Sequence, residues 1–144
     1  MKTLPVAILI ACLAAGPAGA QTADTTDARV AAAGVVARAW LRLVDAQRYG
    51  ESWDSAAGMF RDAVTKPAWE SAVREGRAPF EPFGQRELLV GSFQTQLPNA
   101  PPGEYVVLQY RAKVAGGRTV VETVTPMKDR DGRWRVSGYY VRPE

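Results

Sequence analysis

Along residues 103–142 apolar and polar side chains alternate, and the alternation is broken twice by turn-forming pairs, Gly116-Gly117 and Asp131-Gly132. A period of two interrupted by such pairs predicts two β-hairpins in series. A two-residue turn at Gly116-Gly117 sets Val106, Leu108, Tyr110 and Ala112 on one face with Val121, Thr123, Thr125 and Met127, the expected core face. The other face then carries Val107, Gln109, Arg111 and Lys113 beside Val120, Glu122 and Val124, with Arg111 directly across from Glu122. A tight turn at Asp131-Gly132 adds Trp134, Val136, Gly138 and Tyr140 to the core face and Arg135, Ser137, Tyr139 and Val141 to the other; a longer turn over 129–132 inverts that assignment.

Upstream the period changes. Ala33, Val36, Ala37, Trp40, Leu43, Val44 and Gln47 recur at spacings of three and four, with Arg38, Arg42, Asp45 and Arg48 on much of the other side, which predicts a helix running to about residue 48 and ended by Gly50. Thr26 or Asp27 is placed to cap it, after a polar, small-residue leader over 21–27. Ser52 is placed to cap a short second helix through Trp53, Ala56, Ala57 and Phe60, limited by Gly58. Thr65 before Lys66-Pro67 marks a third helix of about ten residues with Trp69, Ala72 and Val73 on its apolar side. The prolines of 77–84 forbid regular structure, and Phe80 and Phe83 there require burial, so the segment reads as a fixed loop over a sheet edge or a cleft mouth. Residues 86–97 read as a further strand with Leu89, Phe93 and Leu97 inward, followed by a proline-rich connection. The expected fold is α+β: about three N-terminal helices packed on a C-terminal four-stranded antiparallel sheet, as one domain over 28–144.

Composition narrows the picture at both ends of the scale. Residues 1–20 carry one lysine, an apolar stretch over 4–15 and the small-residue run Ala18-Gly19-Ala20, the pattern of a secretory signal peptide, which makes the protein periplasmic or secreted. A lipoprotein cysteine at Cys12 is the alternative, disfavoured because cleavage there splits the apolar stretch. Removing 20 of 144 residues takes Cys12, the one cysteine, and Lys2 with it, leaving no thiol and lowering the net charge from +3 to +2. So mild and dispersed a charge argues against nucleic-acid binding. With no histidine, the commonest general base and metal ligand are both absent, and no metal or other cofactor is expected. No later segment is long and uncharged enough for a membrane span.

The order Ala39-Trp40-Leu41, Val44-Asp45, Tyr49, Ser52-Trp53, Phe60, Trp69, Arg86, Leu97-Pro98, Gly103-Glu104-Tyr105-Val106-Val107, Glu122-Thr123-Val124 and Asp131-Gly132-Arg133-Trp134-Arg135-Val136 with Gly138-Tyr139-Tyr140 resembles the bacterial exported family known as domain of unknown function 4019. The resemblance covers roughly 28–142, and the final Gly-x-Trp-x-Val-x-Gly-Tyr-Tyr run is its most specific part. It implies no assigned activity, substrate or catalytic residue. Helices first and a curved antiparallel sheet after also look like the cystatin-like and NTF2-like rolls, a fold-level analogy that hosts enzymes and binders alike.

Three acids are candidates for proton transfer. A buried Glu122 would carry the raised pKa such chemistry needs, but a cross-strand pair with Arg111 explains it without chemistry. Asp45 and Asp54 flank the first helix junction, and Arg42 and Arg48 stand within helical reach of Asp45 for surface pairing. Tyr105, Tyr110, Tyr139 and Tyr140 are candidate hydroxyl donors to a ligand or, equally, core residues with a rim hydroxyl. Trp40, Trp53, Trp69 and Trp134 read as core, with Trp134 anchored on the first helix at Trp40 and Val44 and Gly138 admitting the helix. Arg74, Arg77 and Arg86 with Phe80 and Phe83 form a candidate ligand-binding rim for an anionic envelope component, or a solvated loop edge. Three functions follow: a non-enzymatic binding module for an unknown small molecule or envelope component; an NTF2-like acid/base enzyme using a buried carboxylate and tyrosine; and a structural protein that self-associates through Val107, Val120, Val124 and Val141.

Overall fold

The computed structural model describes residues 18–144, with side chains from Ala28 onward; the expected signal peptide up to residue 17, and Cys12 within it, lie outside the described residues. Four helices, α1 (Ala18–Asp45), α2 (Tyr49–Asp54), α3 (Gly58–Ala63) and α4 (Lys66–Arg77), precede four strands, β1 (Arg86–Gln94), β2 (Tyr105–Lys113), β3 (Thr119–Lys128) and β4 (Trp134–Pro143). The strands form one antiparallel sheet in the order β1-β2-β3-β4, so every neighbour in space is a neighbour in sequence. The protein is α+β, with the helices against one face of the sheet. Among the described residues, no helix is long and apolar enough to cross a membrane.

α1 begins at Ala18, so the segment expected to be a leader is continuous helix, with no proline between Ala18 and Asp45 to break it. It stops at Asp45, earlier than expected, because Gln47 adopts a left-handed φ of 58°. The N–H of Arg48 reaches back to the Leu43 carbonyl (2.9 Å) and that of Gln47 to Val44 (3.0 Å), a Schellman closure that satisfies the last carbonyls of the helix. Gly50 therefore lies inside α2 and ends nothing. Nor does Ser52 cap a helix: it is buried in α2, donates to the Tyr49 carbonyl (2.6 Å), and accepts from Trp69 Nε1 (2.9 Å), while its own carbonyl accepts from Trp40 Nε1 (2.9 Å). One serine thus holds the polar edges of two core tryptophans. Gly58 starts α3 instead of limiting α2, which makes two short helices where one was expected. α4 forms as read, with Thr65 Oγ1 accepting from the Ala68 N–H and Pro67 in the first turn.

The core is Ala33, Ala37, Trp40, Leu41 and Val44 of α1, Tyr49 of α2, and Trp69 and Val73 of α4, set against Val106, Leu108 and Tyr110 of β2, Val124 of β3 and Val136 of β4. α1 approaches the sheet at Gly91, where a Cβ would stand 2.6 Å from Val30 Cγ1, so any side chain there would push the helix off.

The register of β3 corrects the sequence expectation. Val114 and Arg118 close a three-residue turn over Ala115–Gly117, with the Val114 N–H donating to the Arg118 carbonyl (3.0 Å) and left-handed φ at Gly116 (73°) and Gly117 (72°). One residue more than a two-residue turn slips the pairing by one, so Tyr110 faces Glu122 and Arg111 faces Val121. Val120, Glu122 and Val124 consequently point into the core, while Thr123, Thr125 and Met127 face outward. That removes Val120 and Val124 from any exposed self-association face, since both are buried.

Bulges account for two further corrections. In β4 the expected face holds for Trp134 and Val136 and then inverts, because Pro126 of β3 has no N–H to continue the ladder and Ser137 becomes the extra residue, its Oγ bonded to the Thr125 carbonyl at 2.7 Å. Tyr139 and Val141 turn inward, and Tyr140 is 62% exposed. Tyr139, not Trp134, meets Trp40 (ring centroids 5.4 Å), and Gly138 faces Thr125 of β3 instead of admitting the helix. In β1 a bulge between Leu88 and Val90 leaves Leu89 exposed, where it was expected inward.

Candidate functional site

Five elements and one loop converge at the end of the sheet where β1 starts. Asp45 is the last residue of α1, Arg77 the last of α4, Arg86 the first of β1, and Glu122 sits mid-way along β3 on the core face. Arg86 brackets both carboxylates: Nε donates to Glu122 Oε2 (2.5 Å), Nη2 to Glu122 Oε1 (3.2 Å) and to Asp45 Oδ1 (2.8 Å), and Nη1 to Asp45 Oδ2 (2.6 Å). Arg77 does the same from the other side, with Nη2 on Asp45 Oδ1 (2.7 Å) and Nη1 on Glu122 Oε1 (3.1 Å), while its Nε takes Glu81 Oε1 (3.0 Å) from the proline-phenylalanine loop. Tyr139 closes the ring, accepting from Arg77 Nη1 (2.8 Å) and donating to Glu122 Oε1 (2.5 Å). The Phe83 ring roofs the node, with the Arg77 guanidinium 3.7 Å from its centroid.

Burial makes the node expensive to leave incomplete. Arg77 and Glu122 are both 0% exposed, and charges without partners at such depth cost several kcal/mol each. Completion is what the geometry provides. Glu122 accepts four hydrogen bonds, three on Oε1 and one on Oε2, so both of its oxygens are engaged. Burial pushes the Asp45 carboxyl up, but Arg86 and Arg77 outweigh it and hold the group below the ordinary carboxylate value. Burial likewise works against the charge on Arg86, yet Asp45 and Glu122 raise its pKa further above the usual range. For Tyr139, burial and then the Glu122 charge push ionisation well beyond the ordinary tyrosine value, so the hydroxyl stays protonated and donating. Asp45 also sits at the carbonyl end of α1, where a carboxylate opposes the helix dipole, so the two guanidinium groups are what make that position tolerable.

Two hollows flank the node. On the β1 side a cleft of about 220 Å³ is lined by Arg38, Leu41, Arg42, Gly84, Arg86 and Tyr110. On the β4 side a groove of about 280 Å³ runs between α4 and Tyr139 to Val141. A larger hollow of about 640 Å³ lies at the β3–β4 turn, lined by Met59, Arg61, Asp62 and Lys128 to Arg130, and Asp129 there is already bonded to the Gly58 N–H (3.0 Å). Size therefore does not follow chemistry: the buried ionised groups border the two smaller hollows. Among the described residues, no group of acids or other ligating side chains is arranged to hold a metal ion.

Of the residues singled out from sequence, Glu122, Asp45, Arg77, Arg86, Tyr139 and Phe83 come together. Glu122 does so without the expected partner, since Arg111 lies on the opposite face and pairs with Glu144 (2.5 Å) and Glu87 (3.4 Å). Asp45 is not a surface partner of Arg42 or Arg48; it pairs with Arg77 and Arg86, and Arg48 pairs with Glu51. Neither Arg77 nor Arg86 is a solvated rim. Arg74 stays outside, over the Tyr49 ring at 5.6 Å. Asp54 is an exposed partner of Lys66 (2.7 Å) and takes no part. Tyr105 lies at the other end of β2, buried, with its hydroxyl on the Pro101 carbonyl (2.7 Å). Phe80 packs under the turn of the β2–β3 hairpin with Ala112, Val114 and Val120. Sequence reasoning missed Glu81; its spacing of four from Arg77 was the available signal.

The model of the family described as Protein of unknown function (DUF4019) matches residues 36–139, a span that contains every member of the node. The chain belongs to the DUF4019 family. Neither curated proteins nor solved structures include a match to it. Within the matched DUF4019 span, the region from Trp40 to Tyr139 contributes the C-terminal end of α1, all of α2 to α4 and the sheet face that carries Glu122.

Proposed function

We propose that this protein is an exported, non-enzymatic binding module whose buried ion node fixes the walls of a ligand cleft, on a roll of the cystatin-like or NTF2-like kind. One observation carries the non-enzymatic half: Glu122, the acid best placed for proton transfer, is fully buried, with both oxygens engaged by Arg77, Arg86 and Tyr139. A general base must reach the proton it removes within about 3 Å. Glu122, with no surface exposed, has no such reach to a bound molecule. Asp45 is similarly held between two arginines, and its lowered pKa makes it a weaker base still. The node is suited to rigidity, because each of its groups is anchored on a different element.

The export half rests on the apolar stretch over 4–15 and the Ala18-Gly19-Ala20 run. Its test is the intact mass of the protein recovered from a periplasmic extract. A mature chain beginning at Gln21 is expected, and a lipidated chain beginning at Cys12 would overturn it. The binding half is tested by extracting the small molecules that copurify with the native protein and returning them to the stripped protein. Saturable binding with the molecule recovered unchanged is the expected result. Recovery of a chemically converted product, lost in a Glu122→Gln variant that still folds, would establish the enzymatic reading instead.

A further inference from the structure

The side chains that line the cleft on the β1 side bring three guanidinium groups and no carboxylate. Arg38 and Arg42 reach it from successive turns of α1, Arg86 closes its inner end, and Tyr110 forms part of its floor. The carboxylates of the node are committed to Arg77 and Arg86, and no described carboxylate pairs with Arg38 or Arg42. Tyr110 is 3% exposed, and its hydroxyl is buried beside the Arg38 guanidinium with no acceptor for its own proton among the described residues. A buried hydroxyl left unpaired is costly, and most such groups in folded proteins find a partner. The groups around it are guanidinium groups, which cannot accept a hydrogen bond. What is missing is therefore an acceptor, and an anionic one, since two exposed cations stand at the mouth.

The rim is apolar. Leu88, the cross-strand neighbour of Tyr110 on the same face, is 47% exposed, and Val35, one turn before Arg38 on α1, is 60% exposed. Leu41 and the Tyr110 ring make the walls apolar below the guanidinium groups. The volume of about 220 Å³ holds roughly seven waters at about 30 Å³ each, which suits a small head group and the start of an apolar body.

We infer that this cleft binds an organic acid, with its carboxylate on Arg38, Arg42 and the Tyr110 hydroxyl and its apolar body running out over Leu88 and Val35. This rests on the binding-module reading and gives it a ligand class. Arginine suits a carboxylate because its planar donors match the two oxygens, and charge-assisted bonds of this kind are the stronger ones. Inorganic phosphate would satisfy the donors but leave the apolar rim uncovered.

The test is calorimetric titration of the purified protein with octanoate, octanamide and inorganic phosphate. Octanoate is expected to bind saturably at one site, octanamide and phosphate at least about tenfold more weakly. An Arg38→Gln/Arg42→Gln double variant is expected to melt at the parent temperature, because both side chains are exposed, and to lose roughly tenfold or more of octanoate affinity. Tyr110→Phe is expected to weaken octanoate about fivefold without loss of stability, since it removes a hydroxyl whose proton had no acceptor. Equal binding of octanoate and octanamide, equal binding of phosphate, or full affinity in the double variant would each overturn the assignment. A neutral ligand recovered unchanged from the native protein would overturn the carboxylate assignment and leave the binding-module reading standing, whereas a converted ligand would overturn both.

Discussion

Two guanidinium–carboxylate assemblies lie on opposite faces of the same sheet. On the outer face Arg111 of β2 holds Glu144 and Glu87 in solvent; on the inner face Arg77 and Arg86 hold Glu122 and Asp45 under the helices. The bonds are of similar length and the chemistry is the same. What differs is the alternative each group has when a partner is removed. An exposed arginine turns to water, so its pair contributes little, whereas a buried one is left as an uncompensated charge in a poorly polarisable interior. The inner assembly also ties together α1, α4, β1, β3 and β4, while the outer one joins neighbouring strands and the chain's last residue. Position, not bond count, decides what each does for the molecule.

The largest effect should come from Glu122→Gln, which takes the one fully buried counter-charge from Arg77 and Arg86 and leaves them Asp45 and Glu81. A loss of about 3–5 kcal/mol in urea unfolding is expected, a large share of the stability of a domain this size. Next comes Tyr139→Phe, which removes a hydroxyl bonded to both a cation and an anion and should cost about 1.5–3 kcal/mol, again read by urea unfolding.

Acid titration sharpens the contrast. The folded-state pKa of Asp45 lies below its unfolded value, so its contribution is present in full above about pH 4 and fades as pH falls through the folded value. Asp45→Asn should therefore flatten the acid limb of a stability-against-pH curve; an unchanged limb would mean that the inner assembly is not what acid titrates. Glu144 is held down to about 2 by Arg111, but it is exposed, and salt should erase most of its effect. Arg111→Ala is accordingly the smallest change expected in urea unfolding, and one that shrinks with added salt.

The same two faces explain how far the sequence was legible. Helix and strand order, the capping of α4 by Thr65 and the core roles of Trp40 and Trp69 follow from periodicity and local signals, and the structure agrees. The inner node did not follow, because it depends on one residue of turn length. Gly116-Gly117 reads equally as a two-residue turn or as the end of the three-residue turn that forms, and the difference carries Glu122 from the solvent face to the core. A second slip, at the Ser137 bulge opposite Pro126, brings Tyr139 inward to meet it. A proline in a middle strand was the visible signal for that bulge. Asp45 carried a signal too, as an acid at the carbonyl end of a helix, a placement that calls for nearby cations. Arg77 gave none, since a basic residue in the last turn of a helix is ordinary. That all five side chains meet is a property of tertiary packing, which no single segment encodes.

The central claim is that Glu122 is a buried structural carboxylate whose energy resides in its arginine partners. A double-mutant cycle over Glu122→Gln and Arg86→Gln, read by urea unfolding, tests it most directly, with Glu144→Gln and Arg111→Gln as the outer-face control. The inner pair should show a coupling of at least about 2 kcal/mol and the outer pair one near zero. Inner coupling below about 0.5 kcal/mol would contradict the account.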